Sequence, residues 1–233
     1  MNKNQVIASL GAPLLLALAA TTARAAEDEP VNTVRAGIYI VQYHASSTDL
    51  SGPYTPPGLE VKVNNVNTVY LAYLRELSYH WEVELAAGVP PKTDQVAKGP
   101  ATVGSVPFNG QTIGSAKWFS PTVLFNYKFR YFGDKFWPYA GVGMNYTHLY
   151  DLQITPAGQA IGGGPTKTTL SDSYGPAATV GARYAITREI NVAVSFSASK
   201  IKSNASLNSS GVTRTTTIDF KPTTWVISAG YSF

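Results

Sequence analysis

Six charged residues sit at alternate positions in runs that are otherwise apolar or small: Arg35, Glu82, Glu84, Lys128, Arg130 and Arg183. On an extended chain, alternate side chains share a face, so these groups are placed either to ion-pair as a structural plug or to steer a charged solute. A second set offers the residue types of nucleophilic catalysis: His44 and His148 near Ser46, Ser47, Asp49 and Asp151. No Gly-x-Ser-x-Gly elbow accompanies them, and serine-rich connections produce such coincidences, so no catalytic residues are expected. Gly162-Gly163-Gly164-Pro165 lacks the Lys-Ser/Thr and the helix of a phosphate cradle and reads as a flexible loop. His44, His80 and His148 are too scattered for a metal site, and the absence of cysteine removes disulfides, thiolate chemistry and cysteine-rich zinc sites. Neither a metal nor a cofactor is expected.

The elements that would hold these charges are extended. Lys3, the apolar run 6–20 and Ala23-Arg24-Ala25 form a secretory signal peptide over residues 1–25, cleaved near Ala25, which leaves 26–233 as one mature domain. No later run approaches the roughly 18 apolar residues of a spanning helix. With 14% charged residues, 14 Tyr, 9 Phe and 20 Gly, the composition is β-rich and aromatic-rich, and no Lys/Arg run marks a nucleic-acid partner.

Period-two patterning predicts an all-β fold: an eight-stranded antiparallel transmembrane β-barrel with long external loops and short periplasmic turns. Strands are expected over 33–45, 65–75, 81–87, 122–131, 136–150, 173–186, 192–199 and the C-terminal run to Phe233. Long polar loops would occupy 46–64, 89–115, 151–170 and 202–212, and no segment shows helical periodicity. Rows such as Val34, Ala36 and Ile38, or Trp81, Val83 and Leu85, would meet outer-membrane lipid, and their neighbours would face the lumen. The second strand is apolar on both faces, so its lipid side stays open. The last strand, Trp225 to Phe233, closes on an aromatic and would engage the barrel-assembly machinery.

Distance from the short turns gives each inward charge a depth. All six fall in the periplasmic half, which implies an ion-paired floor beneath an uncharged cup. The cup itself reads Tyr39, Val41, Leu124, Thr147, Ser197 and Ser199 on the inward face. Aromatic belts are expected at the periplasmic ends (including Tyr79, Trp81, Trp137 and Phe233) and at the external ends (including Tyr43, Trp118, Phe119 and Trp225).

The stretch 83–87, the hinge Phe119-Ser120-Pro121-Thr122, the run 137–147 and the C-terminal strand together resemble the OmpW family of small outer-membrane proteins, which includes the AlkL-type alkane importers. The resemblance implies passive uptake of small apolar molecules through a hydrophobic lumen, with sideways exit into the membrane, and with Tyr39, Val41, Leu124, Tyr139, Ala86 and Ser197 as the lumen positions that would bind such ligands. Where the family can carry a leucine and a tryptophan that narrow the lumen, this sequence places Ala86 and Ser197, so Tyr39, Leu124 or Tyr139 would supply the constriction. The rival reading is a closed structural or adhesive barrel acting through its loops.

Overall fold

The structure, a computed structural model, describes residues 31–55, 58–100, 102–103 and 106–233; the expected signal peptide lies outside them. Its strands are β1 (Asn32–Tyr43), β2 (Ser46–Ser47), β3 (Glu60–Val63), β4 (Val66–Glu76), β5 (Trp81–Gly88), β6 (Lys92–Lys98), β7 (Thr102–Val103), β8 (Val106–Pro107) and β9 (Thr112–Phe119). They continue as β10 (Thr122–Lys128), β11 (Phe136–Ile154), β12 (Thr166–Leu170), β13 (Ser173–Ala185), β14 (Ile190–Ser199), β15 (Lys202–Ser209), β16 (Val212–Asp219) and β17 (Pro222–Ser232), with one helix among the described residues, α1 (Pro156–Gly162).

Eight of these strands form a closed antiparallel ring in the order β10-β5-β4-β1-β17-β14-β13-β11, with β11 pairing back onto β10. Closure leaves no unpaired edge, which is the condition for a sheet to sit in hydrocarbon. The first and last strands meet in register from Thr33–Ser232 to Tyr43–Pro222, and the chain ends clasp through Asn32 N–H to the Phe233 carbonyl at 3.0 Å and the reciprocal bond at 2.8 Å. Around the outside, Ile38, Val69, Val142, Val180, Val194 and Ile227 are all exposed. A continuous apolar girdle of this kind is stable against lipid and not against water.

The second strand is now assigned. Val69, Leu71 and Tyr73 face outward, and Tyr70, Ala72 and Leu74 are buried in the lumen, which is why both faces are apolar.

All four long connections expected as loops instead contribute strands. Above the ring, β3, β6, β9 and the upper part of β11 form one sheet, and β12, β15, β16 and β2 form another. Residues 202–212, expected as a loop, belong to the β15–β16 hairpin, turned at Ser210-Gly211 with both φ positive (49° and 90°), the geometry that suits a two-residue hairpin. Ser203, Ala205, Ser209, Arg214, Thr216 and Ile218 are its buried face, a period-two pattern written largely in small and polar residues.

Helix α1 is likewise a correction to the expectation of no helix. Thr155 caps it by accepting from Gly158 N–H, Pro156 opens it, and Gly163 closes it in the left-handed region at φ 84°. The glycine run 162–165 is therefore a helix terminus rather than a free loop. Seven residues are too few for an amphipathic period to show.

Candidate functional site

The inward face of the ring separates into a charged layer at the short-turn end and an uncharged layer above it. In the lower layer Arg183 Nη2 donates to both carboxylate oxygens of Glu82 at 2.8 Å, with Arg183 3% and Glu82 0% exposed. Glu76 is the second anchor: it pairs with Lys128, with Arg183 Nη1 at 3.5 Å and with Arg130 Nη2 at 3.6 Å. Asn126 Nδ2 donates to Glu84 Oε2 at 2.9 Å and to Glu82 Oε1 at 3.3 Å, and the Tyr70 hydroxyl donates to Glu84. Arg35 Nη2 reaches Asn191 Oδ1 at 3.4 Å. The structure thus gathers Glu82, Glu84, Lys128, Arg130 and Arg183 around a residue that sequence reasoning placed in a turn. Glu76 ends β4 with its carboxylate inward, and only the alternation from Tyr70 through Leu74 carries that signal.

Arg130 is further held between two rings, its guanidinium carbon 4.5 Å from the centre of Tyr79 and 4.4 Å from that of Trp137. Trp137 therefore stacks on a lumen cation instead of joining a lipid belt. Replacing Arg130 by Gln keeps the length and removes the charge, and is expected to lower stability by about 1–2 kcal/mol in denaturant unfolding of the lipid-inserted barrel. An unchanged midpoint would show that the two rings hold the floor without the cation.

Above the floor Tyr39 and Tyr70 pack with ring centres 6.0 Å apart, and Leu124 and Tyr139 are buried beside the charged layer. They fill the middle of the lumen. Over this plug opens a cavity lined by Tyr39, Val41, Val63, Trp118, Leu149 and Phe220, with Ser120, Thr147 and Thr224 as polar members. Tyr39 and Val41 are the two expected ligand residues that line it. Leu124, Tyr139, Ala86 and Ser197 do not: Ala86 packs with Tyr70, Ala72, Leu74 and Val226, and Ser197 Oγ donates to Thr179 Oγ1 at 2.9 Å. Two corrections concern the external belt, because Trp118 is buried in the cavity wall and Tyr43 packs edge-on against Phe220. Aromatics at strand ends give the same sequence signal whether they turn outward or inward.

The residues that suggested a nucleophile are spent elsewhere. His148 Nδ1 lies 2.7 Å from Asp172, Asp151 pairs with Lys117 at 2.9 Å, Ser47 Oγ accepts from Val61 N–H, and Lys221 Nζ donates to Ser46 Oγ. Among the described residues no serine is hydrogen-bonded to His44 or His148.

A closed eight-stranded ring, a lipid-facing girdle and long connections gathered at one end define a small outer-membrane architecture. The model of the OmpW family matches residues 32–233. The chain belongs to the OmpW family. Outer membrane protein W of Vibrio cholerae is 28% identical over 200 residues, covering 86% of this chain and 87% of that protein. Outer membrane protein W of Escherichia coli is 35% identical over 106 residues, a match spanning 44% of this chain and 49% of the relative. Among solved structures, OprG from Pseudomonas aeruginosa aligns with a TM-score of 0.77 at 24% identity, covering 89% of this chain and 97% of that one. AlkL aligns with a TM-score of 0.62 at 18% identity, covering 91% and 95%. These two likenesses are of fold. As an OmpW-family protein of the bacterial outer membrane, the barrel turns its short connections to the periplasm and its two added sheets outward.

Proposed function

We propose that this OmpW-family barrel takes up small, uncharged, hydrophobic molecules from outside and releases them sideways into the bilayer. The observation that carries the reading is the stacking of an apolar cavity on a closed, ion-paired floor. A solute that enters the cavity gains by burying apolar surface, roughly 25 cal/mol per Å². It meets no open route downward, because opening the floor would strand charges already taken out of water.

The wall supplies an exit. The β5–β10 ladder stops at Ala86–Thr122 and the pairing resumes as β6–β9 at Lys92–Lys117. Between them lie Pro90 and Pro91, which have no N–H to donate. Trp118 and Ser120 line the cavity at this interruption, and Phe119 between them faces outward. The break in the ladder therefore borders both the apolar cavity and the lipid.

Cells carrying the barrel are expected to take up an alkane, a terpene or an aromatic hydrocarbon faster than cells lacking it. Val41→Trp fills the cavity and should lower uptake to the level of cells without the protein, while the outward Ile40→Trp leaves it unchanged. Equal uptake with and without the barrel across all three compound types would sink the reading and favour a closed structural or adhesive barrel acting through its external sheets. In the same reading the strand ending at Phe233 is the segment the barrel-assembly machinery engages.

A further inference from the structure

A second chamber lies above the lumen cavity, between the two external sheets and under α1. Its walls are apolar, with Leu59, Val61, Ile113, Ile161, Leu207 and Ile218 among them, and it holds about 740 Å³ of unfilled space including its mouth. One cation stands in this wall. Arg214, opposite Leu207 in the β15–β16 ladder, is 7% exposed. Its Nε donates to the Pro53 carbonyl at 3.2 Å and to Thr55 Oγ1 at 3.1 Å, and its Nη1 donates to the Gly162 carbonyl at 3.0 Å.

These partners are neutral. Among the described residues no carboxylate lies within 4.0 Å of Arg214, and its Nη2 has no hydrogen-bond partner. The buried cations Lys128 and Arg183 of the floor each have a glutamate. A desolvated guanidinium held by two carbonyls and a hydroxyl has no counter-charge, and its planar fork of donors matches a carboxylate. An anionic oxygen arriving at Nη2 would neutralise that charge in a low-dielectric setting, where charge-assisted hydrogen bonds are strongest.

We propose that the external chamber is a binding site for amphiphiles with one anionic end, medium-chain carboxylates above all. The carboxylate meets Arg214 and the chain lies among Leu59, Ile113, Ile161 and Leu207. This site is separate from the lumen cavity and concerns capture rather than passage through the wall.

The test is calorimetric titration of the barrel in phosphatidylcholine nanodiscs with decanoate and with decanol, with empty nanodiscs as the blank. Decanoate should bind about tenfold more tightly or better, the worth of one charge-assisted contact. Arg214→Met should abolish that preference, and Arg214→Lys should keep part of it. Equal affinities for decanoate and decanol in the native protein would overturn the proposal, as would a preference that survives in Arg214→Met. Either result would leave Arg214 as a strap holding the 52–55 segment to the end of α1. Should Arg214→Met not fold, the native comparison and the Arg214→Lys titration still decide. Hydrocarbon uptake in native cells separates the two readings. Uptake by a native protein that shows no decanoate preference removes this site alone, whereas decanoate binding without hydrocarbon uptake removes the lumen reading alone.

Discussion

Replacing Arg183 by Met should cost the barrel about 3–5 kcal/mol, because it strands the buried Glu82 side chain without its principal partner. Glu82 is 0% exposed, and both of its oxygens accept from Arg183 at 2.8 Å. Asn126 Nδ2 also donates to it, at 3.3 Å. Glu82→Gln should be comparably damaging for the reciprocal reason, although Arg183 keeps Glu76 at 3.5 Å and the loss falls toward the lower end of that range. The double variant Arg183→Met with Glu82→Gln should recover most of the loss, since neither charge is then stranded. Urea unfolding of vesicle-inserted protein, followed by tryptophan fluorescence, measures all three. Two single losses that simply add in the double variant would mean that the groups act independently, and the floor would not be a coupled network.

A charge on the outside should be nearly as costly, in a way that depends on depth. Val142 is 66% exposed in the middle of β11, opposite Phe125 on one side and Ala178 on the other. Val142→Lys is expected to destabilise the inserted barrel by about 2–4 kcal/mol, the cost of a basic group at the bilayer midplane. Phe132→Lys, in the short turn after β10, should cost no more than about 1 kcal/mol, because a long side chain at the interface reaches water. The same unfolding titration compares them. Equal costs at the two positions would contradict a lipid boundary between them and place the girdle in an aqueous setting.

How much of this was legible in the sequence depends on what each residue's signal encodes. Alternation alone reports a face, so the lumen charges and the lipid rows of most ring strands could be read directly. The 66–76 strand resisted because its inward residues plug the barrel: Tyr70, Ala72 and Leu74 inside are as apolar as Val69 and Leu71 outside. Glu76 was hidden by its place beside a turn, where a carboxylate is ordinarily solvated. Trp118, Tyr43 and Trp137 show the limit of belt reasoning, since ring type at a strand end does not say which way the ring turns. The external sheets were missed for a compositional reason. Their buried face is built largely from Ser, Thr, Ala and Gly, residues that mark loops in most chains but fit closely spaced strands over a small chamber. The cavity wall escaped for a related one: Ile201 and Phe220 come from connections between the ring and the sheets, Val63 and Leu149 from strands of an external sheet, and the four converge only once both are folded.

The seam between β1 and β17 sets a temporal order on how this protein comes into being. The residues it joins, such as Thr33 and Ser232, are 199 positions apart, so no local nucleus can form it. The ring cannot shut until the final residues have been delivered. Before then two strand flanks lie bare, and a chain cut short anywhere upstream of β17 keeps them bare indefinitely, open to any neighbouring strand.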